Sequence, residues 1–115
     1  MIVVVPIRIQ SLNKILTHHW AQRYRRNSSQ QLEVYTELRR AKAPRELPCR
    51  VTLTRIAPRP LDGHDNLQGG FKNVADAVAL WLQVDDADPE IVWHYAQRKG
   101  APKQYACEIQ IEAMS

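Results

Sequence analysis

Cysteine is scarce in this chain of 115 residues, with only Cys49 and Cys107. Two are too few for a disulfide framework and too few for a cysteine-based zinc site. Neither has the acidic or histidine partner pattern of a nucleophile. Long apolar runs are lacking as well. No stretch approaches the roughly 18 residues of a membrane span, so no membrane partner is expected. The apolar start, Met1 to Pro6, has no basic region before it and no small-residue cleavage site after it, so it does not read as a secretory leader. There is no internal repeat and no low-complexity tract. Between residues 60 and 90 cations are almost missing, Lys72 being the only one.

What is present suits a folded chain. Apolar residues are 44% and charged residues 24% of the total, close to the globular average. The length predicts a single domain over residues 1–115. The formal net charge of +4 permits a nucleic-acid partner without demanding one. It is unevenly laid out. Residues 1–59 carry a net +9, residues 60–90 a net −6 and residues 91–115 a net +1. A polyanion would be drawn to the first segment and repelled by the second, and a bound cation would remove that conflict. A solvated basic helix face and a solvated acidic loop would give the same totals.

Periodicity predicts the order β-α-β-α-β-β. Ile2 to Ile9 reads as a buried or half-buried strand. An irregular basic stretch with His18, His19, Trp20, Arg23, Tyr24, Arg25 and Arg26 follows. Ser28 or Ser29 would cap a helix from Gln30 to Ala43, with Leu32, Val34, Tyr35, Leu38 and Ala41 on its apolar face and Pro44 as its stop. Cys49 to Ala57 alternates with a period of two and reads as a second strand. Pro58 to His64 is a loop. Asp65 would cap the next helix, with Gln68 completing a capping box, and its stripe runs Leu67, Phe71, Val74, Ala75, Val78 and Leu82. Gly69 and Gly70 weaken its first turn and call for a reason, such as close approach of a backbone or ligand. Gln83 to Pro89 is a loop. Ile91–Gln97 and Tyr105–Ile111 read as strands joined in a hairpin. The fold class is therefore α/β (α+β), a small mixed sheet of about four strands with two helices.

The carboxylates carry the chemistry. Asp62 and Asp65 follow a strand, and Asp85, Asp86 and Asp88 follow the second helix. A straight helix from residue 66 to 82 would hold the two groups about 24 Å apart. A turn at Gly69-Gly70 would let the first loop fold back, and the third strand must return beside the second. If the loops converge, several carboxylates share one volume, where like charges disfavour joint ionisation. A divalent cation resolves this, and an all-oxygen set favours Mg²⁺ or Mn²⁺ over Zn²⁺. Lys72 lies four residues before Asp76, so the two share a helix face. A lysine there could neutralise charge on a transition state. The same residues also suit ordinary turns, caps and a surface ion pair. Asp86, Asp88 and Glu90 have a calcium-loop spacing, but Pro89 intervenes. His18-His19 could meet phosphate or metal, and Trp20 and Tyr24 could stack on bases or anchor the loop. Trp81 and Trp93 read as core or interface residues.

The run Leu61-Asp62-Gly63-His64-Asp65-Asn66-Leu67, with Lys72, Asp76 and Asp85-Asp86 after it, resembles the RusA family of phage and bacterial Holliday junction resolvases. Ser11-Leu12-Asn13-Lys14 is similar to that family's early Asn-containing loop, and the resemblance covers nearly the whole chain. It implies a RusA-like α/β homodimer that binds four-way DNA junctions and resolves them by Mg²⁺-dependent phosphodiester hydrolysis, with Mn²⁺ as a substitute. It further implies a role in DNA recombination and repair in the cytoplasm of a bacterial host. Asp62, Asp65 and Asp86 would be metal ligands, and Lys72, Asp65 and Asp86 catalytic. The chain departs from the family at one point. Two residues, Gly63 and His64, separate the first two aspartates where the family has one. Positions i and i+2 of an extended chain share a side and i+3 does not, so Asp62 serves only if Gly63 turns the loop. A non-catalytic binder of branched DNA with a degenerate metal site is the alternative. A DNA-independent phage interaction protein, with the acidic loops as solvated turns, is a third reading.

Overall fold

Alternation of Val51 and Leu53 with Thr52 and Thr54 makes Cys49–Ala57 the central strand, with both edges paired. The computed structural model describes residues 1–10, 20–61 and 64–114, with the backbone alone at residues 20, 22–24, 64 and 65. Its strands are β1 (Ile2–Val5), β2 (Cys49–Ala57), β3 (Ile91–Lys99) and β4 (Ala106–Ala113). Its helices are α1 (Trp20–Arg40), α2 (His64–Gly70) and α3 (Lys72–Leu82). The result is a mixed α+β fold around a four-stranded sheet of order β1-β4-β2-β3. Among the described residues no helix is long and apolar enough to cross a membrane.

β3 pairs parallel with β2, from Cys49 opposite Ile91 to Ala57 opposite Lys99. β4 runs antiparallel to both β1 and β2. The hairpin expected between the last two strands does not form, because β4 lies on the far side of β2 from β3. Polarity explains the choice. Cys107, Ile109 and Ile111 of β4 are buried and gain from neighbours on both sides, whereas Gln97, Arg98 and Lys99 of β3 are exposed and suit an edge. The link after β3 steps across the end of β2, where the Gly100 N–H donates to the Ala57 carbonyl at 2.8 Å.

β1 is shorter than Ile2–Ile9 because Pro6 has no N–H to offer a ladder. Its alternation of burial nevertheless persists through Val3, Val5, Ile7 and Ile9. α1 begins at least ten residues before Gln30, so Ser28 and Ser29 are exposed residues inside it and not its cap. No breaker stands between Trp20 and Gln30, and extending a formed helix is cheap. The buried stripe is Gln30, Val34 and Leu38, while Leu32 points out at 68% exposure. Gln30 donates to the Arg8 carbonyl at 3.0 Å, and Asn73 of α3 donates to Asn27 at 2.9 Å and Gln30 at 3.1 Å. This buried polar set ties α1 to α3 and to the segment after β1.

The second predicted helix is two. α2 ends at Gly70 and α3 starts at Lys72, with Phe71 fully buried between them and stacked on Tyr95 at 5.7 Å. Asp65 stands in the first turn of α2 and not before it. Of the two glycines, Gly70 has its reason in close backbone approach. A Cβ at Gly70 would run into the Gln10 carbonyl oxygen and lie 3.0 Å from the Ile9 Cγ2 methyl. α3 closes with Gln83 in the left-handed region (φ 63°). The Gln83 N–H reaches the Leu80 carbonyl and the Val84 N–H the Ala79 carbonyl, both at 3.1 Å, which satisfies two terminal carbonyls.

Two stability changes follow. Gly70→Ala should lower the urea midpoint at unchanged slope, by about 1–3 kcal/mol, since backbone cannot yield as a side chain can. Gln83→Gly should leave stability unchanged or raise it by up to about 1 kcal/mol, because a left-handed residue with a Cβ is strained.

Candidate functional site

Side chains at alternate positions of a strand share a face. The register places Trp93, Tyr95 and Gln97 of β3 on the face that carries the buried Val51, Leu53 and Arg55 of β2. Each of the first and last holds one of the loops in question. Trp93 Nε1 donates to the Asp86 carbonyl at 2.9 Å. Gln97 Nε2 donates to the Leu61 carbonyl at 3.0 Å, and the Leu61 N–H donates back to Gln97 Oε1 at 2.8 Å. The start of the first acidic loop and the middle of the second are thus fastened to one face of one strand, four residues or about 13 Å apart.

Lys72 opens α3 and gathers carboxylates from two places. Its Nζ donates to Asp76 Oδ1 at 2.9 Å, one turn along, and to Asp86 Oδ2 at 3.1 Å. Asp86 lies beyond the C-terminus of a helix about 16 Å long, so the loop after Gln83 doubles back along α3 to reach it. The loop also sorts its aspartates. Asp85 Oδ1 accepts the Ala87 N–H and Asp88 Oδ1 the Glu90 N–H, each at 2.9 Å, so both serve local turns. Asp86 is the one aimed at Lys72.

The charges hold one another. The bonds to Asp76 and then Asp86 raise the Lys72 ammonium above the ordinary lysine value. The Lys72 ammonium, followed by the neighbouring Asp85 carboxyl, holds Asp86 below the usual carboxylate range. Burial, with the Asp86 charge second, pushes the Tyr95 phenol up. Burial also pushes the Cys107 thiol up to about 12 and raises Cys49, so neither offers a thiolate at neutral pH.

Of the residues singled out in the sequence, Lys72, Asp76 and Asp86 come together here. Asp62 and Gly63 lie outside the described residues, as do Ser11 to Lys14 and His18-His19. The side chains of Asp65, Trp20 and Tyr24 lie outside them too. Among the described residues no group of three His, Cys, Asp or Glu side chains stands together to hold a metal ion. The donor that is described fits a hard cation: Asp86 is an oxygen ligand, partly exposed and held ionised. Trp81 is a core residue, edge-on to Tyr35 at 5.5 Å. Trp93 is partly buried, and its indole N–H sets the position of Asp86. The sequence reading did not assign Tyr95 or Gln97. Their signal was the period of two from Trp93 to Lys99, which needs the register with β2 before it gains meaning.

No protein-family model and no curated protein matches this chain. The likeness to a family therefore rests on the motif residues themselves.

The ion pair sets a pH window. The lowered Asp86 value means its contribution is present above the ordinary carboxylate value of 3.8 and lost as pH falls through the lowered one. The raised Lys72 value means its contribution is present below the ordinary 10.5 and lost as pH rises through the raised one. With Lys72 65% exposed, the pairing is worth about 0.2–1 kcal/mol at most. Carboxyl ¹³C NMR should find Asp86 titrating below the ordinary value in the native chain and returning toward it in Lys72→Met.

Proposed function

We propose that this chain is a structure-selective endonuclease, a RusA-like resolvase that binds four-way DNA junctions and cuts them by Mg²⁺-dependent phosphodiester hydrolysis. One observation carries the reading. The Lys72 ammonium bridges Asp76 and Asp86, so three residues whose spacing makes the resemblance meet at one point although the chain separates them by up to fourteen positions. Ordinary solvated turns would not require that convergence.

Asp62, Asp65 and Asp86 would hold the Mg²⁺, with Mn²⁺ as a substitute. When bound, the ion supplies polarisation of the phosphodiester and a lowered pKa for the attacking water. Lys72 brings a cation that stays protonated at neutral pH beside the carboxylates, where it can stabilise charge building on the phosphate oxygens. Asp76 positions that ammonium from one helical turn away. Trp93 holds the Asp86 backbone, and Gln97 holds the stem of the loop that bears Asp62. A two-fold homodimer would present two such sites to opposed strands of a junction. The cytoplasm of a bacterial host, in DNA recombination and repair, is the setting that goes with this activity.

A second reading has its own observation. Lys72 already supplies a positive charge to Asp86 Oδ2, and the two residues between Asp62 and Asp65 work against Asp62 as a ligand. On this reading the chain binds branched DNA without cutting it.

A synthetic four-way junction with and without Mg²⁺, beside a linear duplex, separates the two. The nuclease nicks the junction symmetrically and spares the duplex. Asp65→Asn, Asp86→Asn and Lys72→Ala each reduce cleavage by about 10²-fold or more while the gel shift persists. A shift without cleavage at any Mg²⁺ or Mn²⁺ concentration identifies the binder. No shift at low salt removes both, since phosphate binding is strongest there.

A further inference from the structure

At the C-terminal ends of β2 and β3 a cavity of about 180 Å³ opens beside Pro60, at the start of the loop after β2. Arg55, Ala57, Pro60, Gln97, Arg98 and Lys99 line it. Three of the six are cations, and no Asp or Glu lines it among the described residues. Arg55 is the unusual member, being only 7% exposed. Its Nε donates to the Ile9 carbonyl at 2.9 Å and its NH1 to the Arg59 carbonyl at 2.7 Å. Both partners are neutral, so among the described residues no carboxylate offsets its charge, and a buried charge without a counter-ion is costly. Arg98 differs, because it pairs with Glu108 at 2.9 Å. Arg55 and the exposed Lys99 thus supply the free positive charge.

The same wall fixes the start of the loop after β2: Arg55 holds the Arg59 carbonyl and Gln97 holds both backbone groups of Leu61. We propose that this cavity is a phosphate site, filled by one backbone phosphate of the nucleic-acid strand that the chain acts on. A guanidinium with fixed N–H directions and an ammonium suit a tetrahedral oxyanion. The strand assignment rests on the endonuclease reading; the phosphate chemistry rests on the cavity alone.

Two measurements test it. In the first, junction affinity is followed against salt for the native chain, Lys99→Gln and Arg55→Lys. Lys99→Gln should weaken binding and make the log–log salt slope shallower by up to about 0.9, the worth of one phosphate contact, whereas Arg55→Lys keeps the charge but loses the guanidinium fork and should weaken binding at a nearly unchanged slope. Lys99→Gln alters an exposed side chain, so it remains informative if Arg55→Lys fails to fold. In the second, the Arg55 Nε–H and Lys99 amide resonances are followed during titration with inorganic phosphate and with a short oligodeoxynucleotide. Both resonances should shift with both ligands in the native chain. An unchanged slope in Lys99→Gln, with neither resonance moving, overturns the site even where the native chain cuts junctions. Shifts with inorganic phosphate, in a chain that neither binds nor cuts junctions, support the phosphate chemistry and overturn the strand assignment.

Discussion

The parallel pairing of β2 with β3 is the constraint on which the rest of the molecule hangs. Parallel neighbours require a crossover, and here it is α2 and α3, laid over the sheet. A crossover carries one loop away from the end of β2 and brings another to the start of β3, near opposite ends of the strands. Trp93 and Gln97 fasten the middle of the second loop and the start of the first to one strand face, and the fold-back after Gln83 brings Asp86 to Lys72. The Lys72 bridge is the outcome of this arrangement rather than its cause.

Charge totals overstate what is free to meet a ligand. Several of the cations in the basic first half have structural work. Arg8 lies over the Tyr105 ring at 4.5 Å, Arg45 over Trp81 at 3.7 Å, and Arg40 pairs with Glu37 at 3.1 Å. The acidic segment is divided in the same way. Asp85 and Asp88 hold turns, and Asp76 and Asp86 share the only lysine of the segment. Among the described residues two local features stand out: a partly exposed Asp86 carboxylate beside an ammonium, and a basic hollow further along the same strand.

Some of this could be read from the residues and some could not. The bounds of β2 are visible because Cys49 to Thr54 alternates with a period of two and Pro58 ends the strand, although Arg55, Ile56 and Ala57 are all buried. The Lys72–Asp76 contact followed from spacing on a helix, and the break near Gly70 from two adjacent glycines. The strand order was hidden. A short polar link between two strands normally signals a hairpin, and only the burial of Cys107, Ile109 and Ile111 on the sheet interior shows why β4 moves past β2 instead. The early start of α1 was hidden too, since serine marks a helix start only when nothing before it is helical. The approach of Asp86 to Lys72 depends on Gln83 taking a left-handed conformation that its residue type does not advertise. Trp93 reads from the sequence as a core or interface residue, because an indole carries no sequence mark of the carbonyl that it will hold.

Arg55 also bears on how such a chain can change over generations. One guanidinium supports the segment after β1, pins the loop after β2 and charges the wall of a cavity. A replacement that alters what the cavity accepts also releases the two carbonyls, so ligand preference and loop position cannot drift independently at this residue. Lys99, exposed at the end of an edge strand, carries no such burden. Variation in what the hollow accepts has an open route through position 99 and a closed one through position 55.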